Sequence, residues 1–335
     1  MPLRIALIGA GRMGAAFARS LAYDIPEAEF VAVADAVEST AQRVAAQFRA
    51  QAAYGDYRAL LERQDVQAVI IATPTNTHAE VIRAAAQAGK HIFAEKPLAL
   101  TLEACDQALQ AVEAAGVKLQ LGFMRRYDPA YRAAKRKIEA GEIGQPVMFK
   151  SIGRDPKRTS LEFARRENSG GLIMDMGIHD FDLARWLMGS EVVRVHSEGC
   201  ALAYPELAEV GDLDNAVINL KFANGAVGNV DVSRNAVYGY DIRTEVIGTR
   251  GSLMIGGLQR TPLLVLDPGR VCHDTIPGFM ERFREAYAAE IRDFIDCILH
   301  DRTPAVTGQD GRIATAIGLA ATRSLDEGRP VAVES

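Results

Sequence analysis

The chain has 335 residues and a formal net charge of −5 at pH 7, with 48% hydrophobic and 24% charged residues. This composition is typical of a soluble globular protein large enough for two domains and a sizeable core. It excludes a bulk positive field that would attract nucleic acid or an anionic membrane, so we expect neither partner.

The N-terminus and the cysteines indicate a cytoplasmic protein. The first apolar run, "MPLRIALIGAG", leads directly into a glycine turn, which is not the pattern of a cleaved secretory signal. No apolar run approaches the roughly 20 residues that a membrane-spanning helix needs. The four cysteines lie far apart without CxxC spacing, which argues against a zinc site and is typical of reduced, buried thiols. A disulfide is the alternative that the sequence leaves open.

The first third of the chain alternates short apolar strands with helices. Strands are predicted at residues 4–10, 29–35, 66–74, 91–97 and 118–124. Helices are predicted at residues 11–23, 38–48, 76–89 and 102–116, with Ser39 or Thr40 able to cap the second. This rhythm predicts an N-terminal doubly wound parallel sheet, a Rossmann domain over residues 1–122.

The pattern changes after residue 122, where a second domain over residues 123–335 is predicted. A helix is expected at 128–141, a strand at 146–154 and a helix at 174–189. Strand-like runs dominate residues 191–268, and "FANGA" is a hairpin signal because Asn-Gly readily takes positive φ angles. Helices at 280–300 and 311–327 close the chain. These elements predict an α+β domain with a large open, mostly antiparallel sheet.

The segment "GAGRMG" has the spacing of a dinucleotide-binding turn. Gly9 would permit the tight turn, Gly11 would let the backbone approach a pyrophosphate, and Gly14 would let helix and strand pack closely. The helix that follows would offer amide donors to the phosphates. Because the motif follows a strand and opens a helix, it predicts dinucleotide binding.

Asp35 ends the second strand, where a carboxylate would bind the adenosine ribose and repel a 2′-phosphate. NAD is therefore favoured over NADP; a turn or cap role for Asp35 is the alternative. In "TPTNTHAEV", Asn76 would bind the cofactor or cap the next helix, and His78 is interpreted as structural. The candidate cofactor-binding residues are Gly9, Gly11, Arg12, Met13, Asp35, Thr73, Pro74, Asn76, Glu95 and Lys96.

Two further segments carry candidate chemistry. Lys96 follows a predicted strand and precedes Pro97, which cannot continue a central strand, so Lys96 would project from the carboxyl edge of the sheet. In "MDMGIHDFDLARWLMG", Asp175 and His179 are four residues apart and would share one face of a helix. A proton-transfer pair and an ordinary polar helix face both fit this spacing. Asp180 and Asp182 are expected to be caps or surface partners of Arg185.

The segments "GAGRMG", "TPTNTHA", "AEKPLA", "GFMRRYDPAY", "GEIGQP" and "GGLIMDMGIHDFDLARWLMG" occur in this order. Together they resemble the Gfo/Idh/MocA oxidoreductase family over essentially the whole chain, and most closely its inositol 2-dehydrogenases. The resemblance implies that Lys96, Asp175 and His179 are the catalytic residues, that the Lys96–Pro97 bond is cis in many relatives, and that the open sheet pairs subunits into dimers or tetramers. Residues 155–171 depart from the family pattern, which leaves the substrate open.

The implied reaction is oxidation of a secondary alcohol. The first candidate is the oxidation of myo-inositol to 2-keto-myo-inositol. Histidine is the natural base for the hydroxyl proton, and an ammonium would stabilise the developing alkoxide. Another inositol isomer or a pyranose sugar is the alternative substrate, and a non-catalytic NAD-binding sensor is the alternative function. Asp175 and His179 have a spacing that zinc could use, but a third ligand is not evident, so no metal is expected.

A polyol pocket needs many hydrogen-bonding groups. The candidate substrate-binding residues are Lys96, Arg125, Asp155, Asp175, His179 and Tyr240. Arg125, Asp155 and Tyr240 each have an alternative explanation. The arginines at 125–126 could form salt bridges between domains, Asp155 could simply form a turn with Pro156, and Tyr238 or Tyr240 could pack on the sheet.

Overall fold

The structure is a computed structural model that describes residues 2–334, which fall into two compact units. The first unit runs to Tyr127 and includes Glu285–Thr315, and the second contains Asp128–Arg284 and the chain from Ala316 onward. The division into domains 1–122 and 123–335 stays a prediction.

A parallel sheet of six strands forms the centre of the first unit. Its strands are β1 (Leu3–Ile8), β2 (Ala28–Ala34), β3 (Ala52–Tyr54), β4 (Ala68–Ile71), β5 (His91–Ala94) and β6 (Leu119–Leu121). They lie in the order β3-β2-β1-β4-β5-β6, and every neighbouring pair is parallel. The chain reverses its direction of growth between β1 and β4, which is where such sheets bind ligands. The predicted doubly wound sheet is confirmed, although the sequence did not indicate β3.

The helices of this sheet are α1 (Arg12–Tyr23), α2 (Glu38–Phe48), α3 (Tyr57–Leu61), α4 (His78–Gln87) and α5 (Leu102–Ala115). The expected cap of α2 is wrong, because Ser39 and Thr40 lie inside its first turn and Val37 occupies the N-cap position. Asp35 Oδ1 accepts a hydrogen bond from the Val37 amide and closes the preceding turn. The chain therefore enters the helix earlier than the hydroxyl residues suggested.

The second unit contains a mixed sheet of seven strands. They are β7 (Pro146–Arg154), β8 (Val192–Cys200), β9 (Asn215–Phe222), β10 (Val227–Ser233), β11 (Asp241–Gly248), β12 (Ser252–Ile255) and β15 (Val331–Ala332). Their order is β12-β11-β7-β10-β9-β8-β15. Among these described pairs β7 and β10 run parallel and the others antiparallel, which confirms the mostly antiparallel sheet. A separate hairpin, β13 (Val265–Asp267) with β14 (Arg270–Cys272), was not predicted.

Several of the remaining helices pack against this sheet. The remaining helices are α6 (Pro129–Glu139), α7 (Leu161–Ala164), α8 (Arg166–Ser169), α9 (Gly171–Asp175), α10 (Ile178–Met188), α11 (Phe279–Leu299) and α12 (Gly308–Glu327). Helix α10 contacts β7 and β10, and α9 contacts β9 and β10. Along β7, Phe149 and Ser151 are buried while Lys150 between them is exposed, so the opposite face of the sheet is open. Of the helices within residues 2–334, none is sufficiently long and apolar to cross a membrane.

The predicted hairpin at "FANGA" joins β9 and β10. Gly225 takes a positive φ of 92°, and its amide donates to the Phe222 carbonyl. Asn224 does not take a positive φ, so the expectation that both residues would do so is wrong. The loop is longer than a two-residue turn, since the Phe222 amide donates to the Ala226 carbonyl across it.

The helix predicted from residue 174 to 189 is interrupted. Helix α9 ends at Asp175 and α10 begins at Ile178. A β-carbon on Gly177 would lie only 2.5 Å from the Ile173 carbonyl oxygen, so the turn between the helices needs a glycine. Asp175 and His179 therefore lie on two helices, and the argument that they share a face of one helix is wrong.

Candidate active site

The glycine turn of the first unit is shaped for a ligand at one position and for packing at the other two. Gly9 has φ of 95°, and a β-carbon there would lie 2.5 Å from the backbone of Ala72. A β-carbon on Gly14 would lie 1.9 Å from the Gly9 carbonyl oxygen. A β-carbon on Gly11, the N-cap residue of α1, would meet no atom within 4 Å. Open space in front of Gly11 and α1 fits a dinucleotide pyrophosphate.

Asp35 is half-buried at the carboxyl end of β2. Its Oδ2 accepts the Ala10 amide at 2.8 Å, and its Oδ1 accepts the Val37 amide at 2.9 Å. These contacts support the turn role that was the alternative reading. A carboxylate oxygen can accept more than one hydrogen bond, so they leave room for ribose hydroxyls. The ribose contact stays a prediction.

The loop after β4 contains Thr73, Pro74 and Asn76. Asn76 is exposed within a single 3₁₀ turn, Thr75–Thr77, and Thr77 occupies the N-cap position of α4. Asn76 therefore does not cap α4, and its contact with the cofactor stays a prediction. Thr73 Oγ1 accepts a hydrogen bond of 2.8 Å from Thr77 Oγ1, which ties the loop to this turn.

His78 is buried beneath two loops of the first unit. Its Nδ1 lies 2.7 Å from the Pro97 carbonyl oxygen and its Nε2 lies 3.0 Å from the Thr73 carbonyl oxygen. Burial lowers the pKa of His78, and the nearby Lys96 ammonium lowers it further. A neutral imidazole has one N–H, so it can donate to one of these carbonyls at a time. The structural interpretation of His78 accounts for all of these contacts.

Lys96 lies at the carboxyl end of β5, as predicted, and is half-buried. The Lys96–Pro97 bond is cis. The neighbouring Glu95 is buried, and its Oε2 accepts the Lys96 amide at 3.2 Å. A β-carbon on Gly122 would lie 3.4 Å from the Glu95 carboxyl, so this carboxyl is closely packed. Lys96 thus follows a buried, closely packed segment.

Glu290, on α11 in the first unit, is fully buried. Burial raises its pKa well above the usual range, and the negative charge of Glu95 raises it further. Neither carboxyl oxygen of Glu290 has a hydrogen-bond partner among the described residues. Burial without a hydrogen-bond partner therefore favours the protonated form of the Glu290 carboxyl.

Two candidate catalytic residues of the second unit lie at the break between α9 and α10. Asp175 is the last residue of α9 and His179 the second residue of α10, and both are half-buried. Asp175 Oδ2 accepts a hydrogen bond of 3.0 Å from Arg234 Nη2. Partial exposure leaves both side chains accessible to a small molecule.

Sequence reasoning missed Arg234 and Asp212. Arg234 directly follows β10 and is 1% exposed, although it is charged. One signal was available, because Arg234 continues the alternation in which Val230 and Val232 face inward. A charge in an inward register is a sign of a buried ion pair.

Three further substrate candidates are placed as follows. Arg125, in the first unit, is 3% exposed. Asp155 follows β7, where its amide donates to the Ser233 carbonyl. Tyr240 is buried edge-on against Phe283, with ring centroids 6.4 Å apart, which fits the packing alternative. Their substrate contacts stay predictions.

Two carboxylates that follow His179 on α10 are more buried than the sequence suggested. Asp180 and Asp182 are 0% and 1% exposed, so the expectation of surface residues is wrong. Ser151 Oγ donates to Asp180 Oδ1 at 2.5 Å, which fixes α10 on the sheet. Arg185 pairs with Glu191 at 2.5 Å.

Arg126 pairs with Asp310 at 3.0 Å, and both belong to the first unit. The four cysteines are free thiols. Within residues 2–334, no group of three or more His, Cys, Asp or Glu side chains is arranged to hold a metal ion.

Comparison with known proteins assigns both parts of the chain. Residues 3–123 match an oxidoreductase family with an NAD-binding Rossmann fold, and residues 135–333 match the C-terminal α/β domain of the same family. The chain is 42% identical over 332 residues to scyllo-inositol 2-dehydrogenase (NAD(+)) of Bacillus subtilis strain 168, covering 99% of this chain and 96% of that protein.

Two further relatives are similar over almost their full lengths. Myo-inositol 2-dehydrogenase of Thermotoga maritima is 39% identical, with 99% of each chain covered. The crystal structure of scyllo-inositol dehydrogenase from Lactobacillus casei, with bound NAD(H) and scyllo-inositol, matches with a TM-score of 0.95 and 32% identity, covering all of both chains.

Proposed function

Because the chain belongs to the Gfo/Idh/MocA oxidoreductase family, we propose that it oxidises a ring hydroxyl of an inositol to a ketone with NAD as hydride acceptor. The family resemblance and the NAD-binding Rossmann domain predicted from the sequence are confirmed. The observation that carries the proposal is similarity to inositol dehydrogenases over 99% of this chain.

Myo-inositol is the first candidate substrate and scyllo-inositol the second. The relatives described above include a dehydrogenase named for each isomer. The two isomers differ in configuration at one carbon, and oxidation of that carbon gives the same ketone from both. The two alcohols carry the reacting hydrogen on opposite faces of the ring, so the substrate is decided by which ring face lies against the nicotinamide.

The catalytic residues are proposed from the chemistry of the reaction. His179 takes the hydroxyl proton, since imidazole is a base near neutral pH. Lys96, as an ammonium, stabilises the developing alkoxide, a contribution worth about 10²–10³ in turnover for one donor. Asp175 orients the histidine or holds a second substrate hydroxyl. Arg125, Asp155 and Tyr240 are proposed to bind the other hydroxyls.

The first unit is proposed to hold NAD through the glycine turn and Asp35. The open space at Gly11 fits the pyrophosphate, and the Asp35 carboxylate disfavours the 2′-phosphate of NADP. The other proposed cofactor contacts are Arg12, Met13, Thr73, Pro74, Asn76, Glu95 and Lys96.

The protein is also proposed to form a homo-oligomer, a dimer or a tetramer, through the open face of the seven-stranded sheet. Val217, Val227 and Met254 are exposed on this face, at 44%, 42% and 83%. A large sheet face with exposed apolar side chains favours association with a second copy. Sedimentation analysis of the purified protein tests this, and a monomer at micromolar concentration would contradict it. The cytoplasmic location stays a prediction.

The test of the proposed function is a substrate panel monitored by NADH absorbance. Myo-inositol, scyllo-inositol, other isomers and aldoses are each supplied with NAD or NADP. We expect turnover of an inositol with NAD. NAD binding without turnover of any of these compounds would favour the alternative of a non-catalytic sensor, and faster turnover of an aldose would favour the sugar alternative.

A further inference from the structure

Arg234 links the candidate catalytic Asp175 to a second carboxylate. Its Nη2 donates to Asp175 Oδ2 at 3.0 Å, and its Nη1 donates to Asp212 Oδ2 at 3.4 Å. The exposed fractions of the three side chains are 2% for Arg234, 21% for Asp175 and 3% for Asp212. A buried guanidinium therefore connects a buried carboxylate to one that is partly exposed.

Asp212 forms a fixed support for this arginine. Its Oδ1 accepts the Leu172 amide at 2.7 Å, near the N-terminus of α9. A β-carbon on Gly171 would lie 2.8 Å from the same oxygen, so the glycine permits the close approach. Burial raises the pKa of Asp212, while the Arg234 charge and the Leu172 amide oppose that rise.

The contacts close a loop around the short helix α9. Asp212 holds the N-terminal end of the helix, and Arg234 holds Asp175 at the C-terminal end. Arg234 is itself anchored, because its backbone amide donates to the Asp214 carbonyl at 2.8 Å. A residue outside α9 therefore contributes to the orientation of the Asp175 carboxylate.

We propose that Arg234, supported by Asp212, is a positioning residue that fixes the orientation of the Asp175 carboxylate for the proposed oxidation. The inference rests on the proposed function, in which Asp175 acts with His179. Arg234 contacts a candidate catalytic residue directly, which a purely structural ion pair would not require. A guanidinium suits this bridge because its planar fork serves two carboxylates at once, which one ammonium does not.

The test is a double-mutant cycle on the full-length protein with Arg234→Gln, Asp175→Asn and the double variant. Arg234→Gln is expected to lower kcat about 10²-fold through misplacement of Asp175, with the KM for NAD changed less than about twofold. The double variant is expected to match Asp175→Asn within about twofold, because Arg234 acts through Asp175. Arg234→Lys is expected to recover part of the loss, about tenfold.

A purely structural role predicts a different pattern. The loss caused by Arg234→Gln would then add in full to that of Asp175→Asn, which would overturn the inference, as would retention of kcat by Arg234→Gln. If Arg234→Gln does not fold, the same cycle with Arg234→Lys distinguishes the positioning role from a purely structural one. Arg185→Gln is the matched control, since it removes an arginine–carboxylate pair at the other end of α10, and it is expected to retain kcat.

The unmodified protein is assayed first, so that two failures can be told apart. Absence of inositol oxidation would contradict the proposed function and the role of Arg234 with it. Oxidation by the unmodified protein together with an additive cycle would overturn the role of Arg234 alone.

Discussion

The imidazole Nδ1 of His78 lies 2.7 Å from the carbonyl oxygen of Pro97, the residue after Lys96. The opposite ring nitrogen lies 3.0 Å from the carbonyl oxygen of Thr73. One buried side chain thus joins the loops that follow β4 and β5, at the edge of the sheet where the cofactor is proposed to bind.

His78→Leu is expected to weaken NADH binding about tenfold and to lower the free energy of unfolding by about 1–3 kcal/mol, since a buried hydrogen bond is lost. NADH fluorescence titration and urea denaturation measure the two effects. The control is His91→Leu: His91 lies at the amino end of β5, where its Nδ1 accepts the Lys118 amide. It is expected to lose stability and keep its affinity for NADH. Equal weakening of NADH binding in both variants would show that His78 has no particular role at this edge.

Gly11 and Gly14 are expected to differ in the consequence of the same substitution. Gly11→Ala places a methyl group in open space and is expected to weaken NADH binding at least about tenfold with little change in stability. Gly14→Ala places it 1.9 Å from a carbonyl oxygen and is expected to lower the melting temperature strongly. Thermal unfolding and NADH titration compare the two. Unchanged affinity of Gly11→Ala for NADH would contradict the proposed position of the pyrophosphate at Gly11.

Asp35→Ser is expected to raise kcat/KM for NADP at least about tenfold, the equivalent of about 1.4 kcal/mol, because a carboxylate beside a phosphate is removed. The value for NAD should fall, since a ribose contact is lost as well. Steady-state assays with both cofactors measure the ratio. An unchanged NAD to NADP ratio would leave Asp35 with only its hydrogen bonds to Ala10 and Val37.

Glu290→Gln is expected to change how stability depends on pH. The pKa of Glu290 is raised above its ordinary 4.5 by burial and by Glu95. The unfolded chain therefore releases this proton near pH 4.5 while the folded protein keeps it, so stability falls as pH rises towards the folded pKa. Glu290→Gln has no proton to release at this position. As pH rises, its free energy of unfolding should therefore increase relative to that of the native protein by up to ~1.4 kcal/mol per pH unit.

Urea denaturation at several pH values between 5 and 8 measures the difference. Glu285→Gln, which changes an exposed carboxylate of the same helix, serves as the control and should follow the native protein. Parallel curves for Glu290→Gln and the native protein would show that the Glu290 carboxyl is ionised in the fold.

The features that the sequence predicted well depend on neighbours close in the chain. The glycine turn, the strand ends carrying Asp35 and Lys96, and the hairpin at Gly225 are set by local spacing and backbone preference. The Rossmann fold follows from the apolar periodicity of successive strands.

The features that the sequence did not predict depend on distant partners. Arg234 meets Asp175 and Asp212 across 59 and 22 residues, and Asp180 meets Ser151 across 29. The break at Gly177 depends on close backbone packing, which an apolar helical pattern does not reveal. Tertiary contacts of this kind also turned expected surface carboxylates into buried ones.

The central claim is that His179 is the base in an NAD-dependent oxidation. His179→Asn, assayed for inositol turnover and titrated with NADH, tests it most directly. We expect a loss of kcat of about 10²–10⁴-fold, with the affinity for NADH changed less than about twofold. Turnover near that of the native protein, or an equal loss of turnover and of NADH binding, would contradict it.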